Sequence, residues 1–125
     1  MLLWIDSPEN DRMLIEEIKR NYASVKINFQ LSYKEAQKFL NENADDIRQR
    51  EIFVTICRAY YGSESKSFTD IVRLFQRLAI GRRPIAVYTM STIALLQKTP
   101  NLPEEIKVFE SPEDLFDFIS GYLSK

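Results

Sequence analysis

The chain has 125 residues, 45% of them hydrophobic and 28% charged, with a formal net charge of −1. That length suits one domain, residues 1–125, with an ordinary hydrophobic core, and the composition is too apolar and aromatic for disorder. Near-zero charge gives no global pull toward nucleic acid or an anionic membrane, no apolar run is long enough to span a bilayer, and the absence of histidine removes the commonest general base and zinc ligand.

The opening run Leu2-Leu3-Trp4-Ile5 reads as a first strand, too short and too soon ended by Asp6 to be a signal peptide. Ser7 and Pro8 then have the pattern of an N-cap followed by proline at the first helical position, and Leu14, Ile15, Ile18 and Tyr22 give that helix an apolar stripe. Val25, Ile27 and Phe29 alternate with polar residues as a second strand. Ser32 and Glu35 have capping-box spacing ahead of Ala36, Phe39 and Leu40. The polar stretch 41–50 predicts a helix end passing into loop.

A third strand is expected over 52–57 and a loop centred on Gly62 over 60–65. Ser67 and Asp70 open a third helix, with Ile71, Val72, Phe75 and Leu78 inward and Gly81 as its stop. Residues 84–88 form a fourth strand. Ser91 caps a short fourth helix through Ile93, Ala94, Leu95 and Leu96. Residues 106–109 form a fifth strand, and Ser111, Pro112 and Asp114 start a last helix with Leu115, Phe118, Ile119 and Tyr122 on its apolar side. Strict alternation of five strands and five helices predicts a doubly wound, five-stranded parallel sheet in a flavodoxin-like three-layer α/β/α arrangement. Sites in such folds lie at the carboxyl ends of the strands, here near Asp6, Cys57 and Thr89.

The segments LLWIDSPENDRMLIEEI, INFQLSYKEAQKFL, PIAVYTMS and VFESPEDLFDFI, in this order and spacing, resemble a response-regulator receiver domain across nearly the whole chain. The resemblance implies two acids after the first strand holding Mg²⁺, a phosphoacceptor aspartate after the third strand, a hydroxyl after the fourth and a lysine after the fifth. Asp6 matches the first acid and Thr89 the hydroxyl. Ser7 stands at the second acid, or that position is deleted before Pro8; Cys57, or as the lesser alternative Ile56, stands at the acceptor, and Lys107 falls early, within the strand. One carboxylate makes a poor Mg²⁺ site, and phosphoryl transfer without metal, acceptor or lysine has neither nucleophile nor clamp. The resemblance therefore implies a degenerate receiver, with no metal and no cofactor. Such a pseudo-receiver would act in signal transduction by phosphorylation-independent contact with a protein partner or with other domains of a larger signalling protein. Its contact face would be the fourth helix, fifth strand and fifth helix, here Thr92, Leu95, Leu96, Lys107, Phe109, Leu115 and Phe116. A homodimer is compatible with this reading.

Each residue has a plainer reading beside the functional one. Asp6 is either a relic of a metal site or a helix-terminal acid stabilised by the dipole. Cys57, the only cysteine, is either a reactive thiol beside Arg58 or a small buried hydrophobe, and a lone cysteine suits the reducing cytoplasm. The first loop is acidic and lacks glycine, which disfavours a nucleotide or flavin phosphate. Enzyme readings of the strand-end cleft are an atypical phosphoacceptor, or a TIR-like NAD hydrolase with Glu64 as its acid. The basic set Arg58, Lys66, Arg73, Arg77, Arg82, Arg83 and Lys98 and the acidic set beyond residue 99, opposed there by Lys107 and Lys125, suggest either heterotypic contacts or a solvated surface with local pairs such as Asp70 with Arg73. Without interleaved aromatics, the basic set makes no case for nucleic acid.

Overall fold

The apolar runs at 2–5, 54–57 and 85–87 are buried on both faces, as the central strands of a parallel sheet are. The computed structural model describes residues 1–124; Lys125 lies outside them. In chain order the elements are β1 (Leu2–Ile5), α1 (Arg12–Asn21), β2 (Ile27–Gln30), α2 (Tyr33–Gln49), β3 (Val54–Arg58), β4 (Tyr60–Tyr61), β5 (Lys66–Ser67), α3 (Phe68–Arg77), β6 (Ile85–Tyr88), α4 (Thr92–Lys98), β7 (Ile106–Phe109) and α5 (Pro112–Leu123). The main sheet is parallel throughout, with strand order β2-β1-β3-β6-β7. Alternate strand residues feed two cores. Leu3, Ile5, Cys57, Ile85 and Val87 pack under α2, α3 and α4, while Leu2, Trp4, Val54, Ile56 and Ala86 pack under α1 and α5. The result is the expected flavodoxin-like α/β/α sandwich. Strand order reverses between β1 and β3, so the crevice at their carboxyl ends is the topological switch point.

Four local expectations are corrected. Residues 8–11 form a 3₁₀ turn and α1 begins only at Arg12; the Ser7 hydroxyl caps nothing, the Asn10 backbone N–H going to the Ser7 carbonyl, while the Asp6 carboxylate takes the Ser7 N–H and the Asn10 side-chain amide. α2 runs unbroken to Gln49, through the stretch expected to fray. Ala44 and Ile47 continue its buried stripe, and burying one isoleucine contributes about 2 kcal/mol against a few tenths lost at each asparagine. The loop after β3 is a hairpin, with β4 antiparallel to β5 around a 3₁₀ turn at Gly62–Glu64. Finally, α3 stops before Gly81: Ala79 adopts φ 54° and the Ile80 N–H reaches back to the Phe75 carbonyl, a left-handed cap made without glycine.

Candidate functional site

The register of β1 against β3 sets Ile5 opposite Cys57, so Asp6 and Arg58 emerge together at the switch point. Strand parity decides which residue of β3 faces the crevice. Cys57 points into the α2–α3 core and is fully buried, whereas Arg58 ends the strand and reaches the cleft. The β3 residue at the cleft is therefore Arg58 and not Cys57, and its side chain is basic.

Arg58 does not project into solvent. Its Nε donates to Asp6 Oδ2 at 2.5 Å, and one terminal nitrogen donates to both Asp11 oxygens at 3.1 and 3.2 Å. Trp4 Nε1–H donates to Asp11 Oδ2 at 3.0 Å from inside β1, and the Tyr88 ring lies 5.1 Å from the guanidinium carbon. Tyr61, on the hairpin, closes the crevice from above: its hydroxyl donates to the Ile5 carbonyl at 2.7 Å and accepts the Arg58 N–H at 3.0 Å. Burial pulls the guanidinium pKa down, but the Asp6 hydrogen bond and the charges of Asp11 and Asp6 outweigh it and leave it above its ordinary value. Burial, then the Asp11 charge, raises the Tyr88 phenol.

Asp11 is the residue the sequence reading missed. It is one of two buried polar residues among those described, at 8% exposure, and it supplies the second carboxylate that Ser7 could not. Two signals could have revealed it. An indole in an otherwise aliphatic buried strand needs an acceptor for its N–H, and an arginine at a strand end beside Asp6 needs more than one acid.

The cleft therefore holds two carboxylates, but they do not suit Mg²⁺. Asp6 Oδ1 accepts from the Ser7 N–H and from Asn10, its Oδ2 from Arg58, and both Asp11 oxygens from Arg58 and Trp4. Lone pairs that a hard cation would need are committed, and a fixed positive charge already lies among them.

The remaining candidates are spread around this centre. Burial raises the Cys57 thiol to about 12, against the opposing pull of Arg58, so the small-hydrophobe reading holds over the reactive one. The Thr89 N–H pairs with the Phe109 carbonyl, and its Oγ1 lies 3.5 Å from the Ser91 N–H. Glu64 caps α2, its two oxygens accepting the Tyr33 and Lys34 N–H groups at 2.8 and 2.9 Å.

Of the expected contact face, Leu95 and Leu115 are core residues that support it from behind. Phe109 and Phe116 are half-buried in the α1–α5 core, the former with its ring tilted against Phe118. Thr92 donates to Glu110, while Lys107 and Leu96 are exposed. The basic set is largely committed locally: Arg58 to the cleft, Arg83 to carbonyls ending α2, Arg73 to Asp70, and Lys66 and Lys98 over tyrosine rings.

Among the described residues no helix is long and apolar enough to cross a membrane. No family model matches the chain, and neither a curated protein nor a solved structure matches it.

Proposed function

We propose that the chain is a receiver-like regulatory domain that works through protein–protein contact and needs no phosphorylation. The observation that carries this reading is the Arg58 guanidinium held between Asp6 and Asp11. Phosphoryl transfer at such a cleft requires a nucleophilic carboxylate and a divalent cation beside it. Here the strand-end residue is a cation with no nucleophilic form, and it saturates the two acids present. Glu64, engaged as a helix cap, offers nothing to an NAD-hydrolase reading.

Contact is supported by the distribution of apolar surface. Six large hydrophobic side chains are exposed among the described residues, and four of them, Tyr60, Met90, Ile93 and Leu96, lie on the hairpin, on the β6–α4 connection and on α4. Tyr60 and Met90 line a shallow cleft with Ala94 and Lys98 on one side of α4, while Ile93 and Leu96 are exposed elsewhere on the same helix. Exposed apolar side chains gathered about one short helix are what supports a contact role there.

The test is direct. Incubation with Mg²⁺ and a small acyl phosphate, followed by intact-mass measurement, is expected to leave the mass unchanged. A stable gain of one phosphoryl group overturns the reading.

A further inference from the structure

α4 has only seven residues and spans about 10 Å, so it does not cover β6 along its whole length. Beyond it the chain runs without helix from Thr99 to Glu105, and α3 ends at Arg77. A cavity of about 570 Å³ lies between these segments, at the amino end of the sheet and the opposite pole from the Arg58 cleft. Small-molecule sites occupy roughly 300–1,000 Å³. Val72 and Phe75 of α3 and Ile85, the first residue of β6, give the cavity an apolar floor.

Its walls are tied down from outside. The Arg83 guanidinium donates to the Ile47 and Arg48 carbonyls at 3.2 Å each, which anchors the turn that carries Arg82. The Ile85 N–H donates to the Glu105 carbonyl at 3.0 Å, which holds Glu104 and Glu105 beside the start of β6. A site fixed in this way loses little entropy when a ligand enters.

Arg82, Glu104 and Glu105 all line the cavity, yet among the described residues none of the three side chains forms an ion pair or a hydrogen bond. Opposite charges that share a cavity without meeting are held apart by it. A ligand that satisfies both must carry both signs. A carboxylate matches the planar fork of an arginine, an ammonium matches the two glutamates, and an apolar body matches the floor. A phosphate ester fits poorly, because the glutamates repel it.

We infer that this cavity binds an apolar amino acid or dipeptide, its carboxylate at Arg82, its ammonium at Glu104 and Glu105, and its side chain on Phe75 and Ile85. The inference goes beyond the contact reading and does not depend on it.

Backbone NMR of the intact, isotope-labelled chain, without partner or phosphodonor, tests it. Titration with L-phenylalanine and with leucyl-phenylalanine up to about 10 mM is expected to give saturable shifts at residues 72–85 and 103–106 with at least one of them, and the tighter binder separates amino acid from dipeptide. Arg82→Ala, and Glu104→Gln combined with Glu105→Gln, are each expected to weaken binding about ten-fold or more, the loss of a charged hydrogen bond. These positions are exposed or half-buried, so the far-UV spectrum is expected to be unchanged. The desamino analogue of the ligand is expected to bind the wild type about ten-fold more weakly and to ignore the glutamine pair. Absence of saturable shifts at these residues overturns the inference, as does either set of variants binding like the wild type, or a desamino analogue that binds as tightly as its parent. A phosphoryl gain in the acyl phosphate test would overturn the contact reading and leave this one standing.

Discussion

Arg58 and Asp11 stand 47 positions apart in the chain, yet one guanidinium nitrogen of the first lies 3.1 and 3.2 Å from the two carboxylate oxygens of the second. This pair ties the end of β3 to the turn that precedes α1. With Asp6 and Trp4 it converts the switch point, the usual ligand crevice of an open α/β sheet, into an internal polar knot. Every carboxylate oxygen in it has a donor, which is the condition under which buried charge is tolerated.

Removing the cation alone leaves two carboxylates facing each other, one of them almost fully enclosed. Breaking a fully buried pair typically costs about 3–5 kcal/mol. The Arg58 side chain is 30% exposed, so Arg58→Ala is expected to cost less, about 2–3 kcal/mol by urea denaturation. The same variant frees the Asp6 and Asp11 lone pairs, so millimolar Mn²⁺ or Ca²⁺ is expected to raise its melting temperature while leaving the wild type unaffected. A variant as stable as the wild type would mean that the knot does not hold β3 to the α1 turn.

The alkaline limb of stability has a predictable sign. Burial raises the Cys57 thiol from 9.0 to about 12, and burial, then the Cys57 charge, raises the Tyr61 phenol above its usual 10.0. Both groups hold their protons in the folded chain after the unfolded chain has released them. Their stabilisation is complete below about pH 9 and is lost as pH climbs from there through the folded values, at up to ~1.4 kcal/mol per pH unit for each group. Urea midpoints are expected to fall steadily above about pH 9, and less steeply in Cys57→Ala, which removes one of the two titrations. The native thiol is expected to ignore disulfide reagents at about pH 8 and to react once the chain is unfolded. Rapid labelling of folded protein would show that Cys57 is not enclosed by the α2–α3 core.

The central strands β1, β3 and β6 were legible because parallel strands buried on both faces must be short, apolar and separated by helical periodicity, whereas the half-buried edge strands β2 and β7 were read from their alternation and their place in that order. The caps at Ser32, Ser67, Ser91 and Ser111 were legible for a local reason, since a hydroxyl before an apolar run has an N–H to meet within four residues. Partnerships across the chain were not. Asp11 looked like one more acid in a solvated loop, and only the register that sets β1 beside β3 brings it to Arg58. Cys57 was placed at the cleft because its strand was read one residue short, and in a strand that slip moves a side chain from one face to the other. The cap at Ala79 was hidden because alanine rarely adopts positive φ, which made Gly81 the natural stop. On α4, periodicity made Ile93 and Leu96 look like core, whereas the helix is too short and peripheral to bury more than Leu95.

Glu64 gives the sharpest separation of a structural from a chemical role. It sits at the turn of the β4–β5 hairpin, 31 residues beyond the backbone N–H of Tyr33, and both its oxygens are spent on the first turn of α2. Ser32 already accepts the Glu35 N–H, so together the two residues satisfy three of the four orphan donors there. Glu64→Ala is expected to cost about 1–2 kcal/mol, the range of a lost cap with a charge at the positive end of the dipole. It should also loosen the hairpin, seen as faster proteolysis near Gly62. Glu64→Gln keeps one acceptor oxygen and loses the charge, so it is expected to recover roughly half of that cost. A catalytic acid would behave otherwise: its removal would leave stability untouched, or raise it by relieving strain, while abolishing turnover of NAD⁺. Equal stability of wild type and Glu64→Ala would therefore count against the capping role and reopen the strand-end cleft to enzymology.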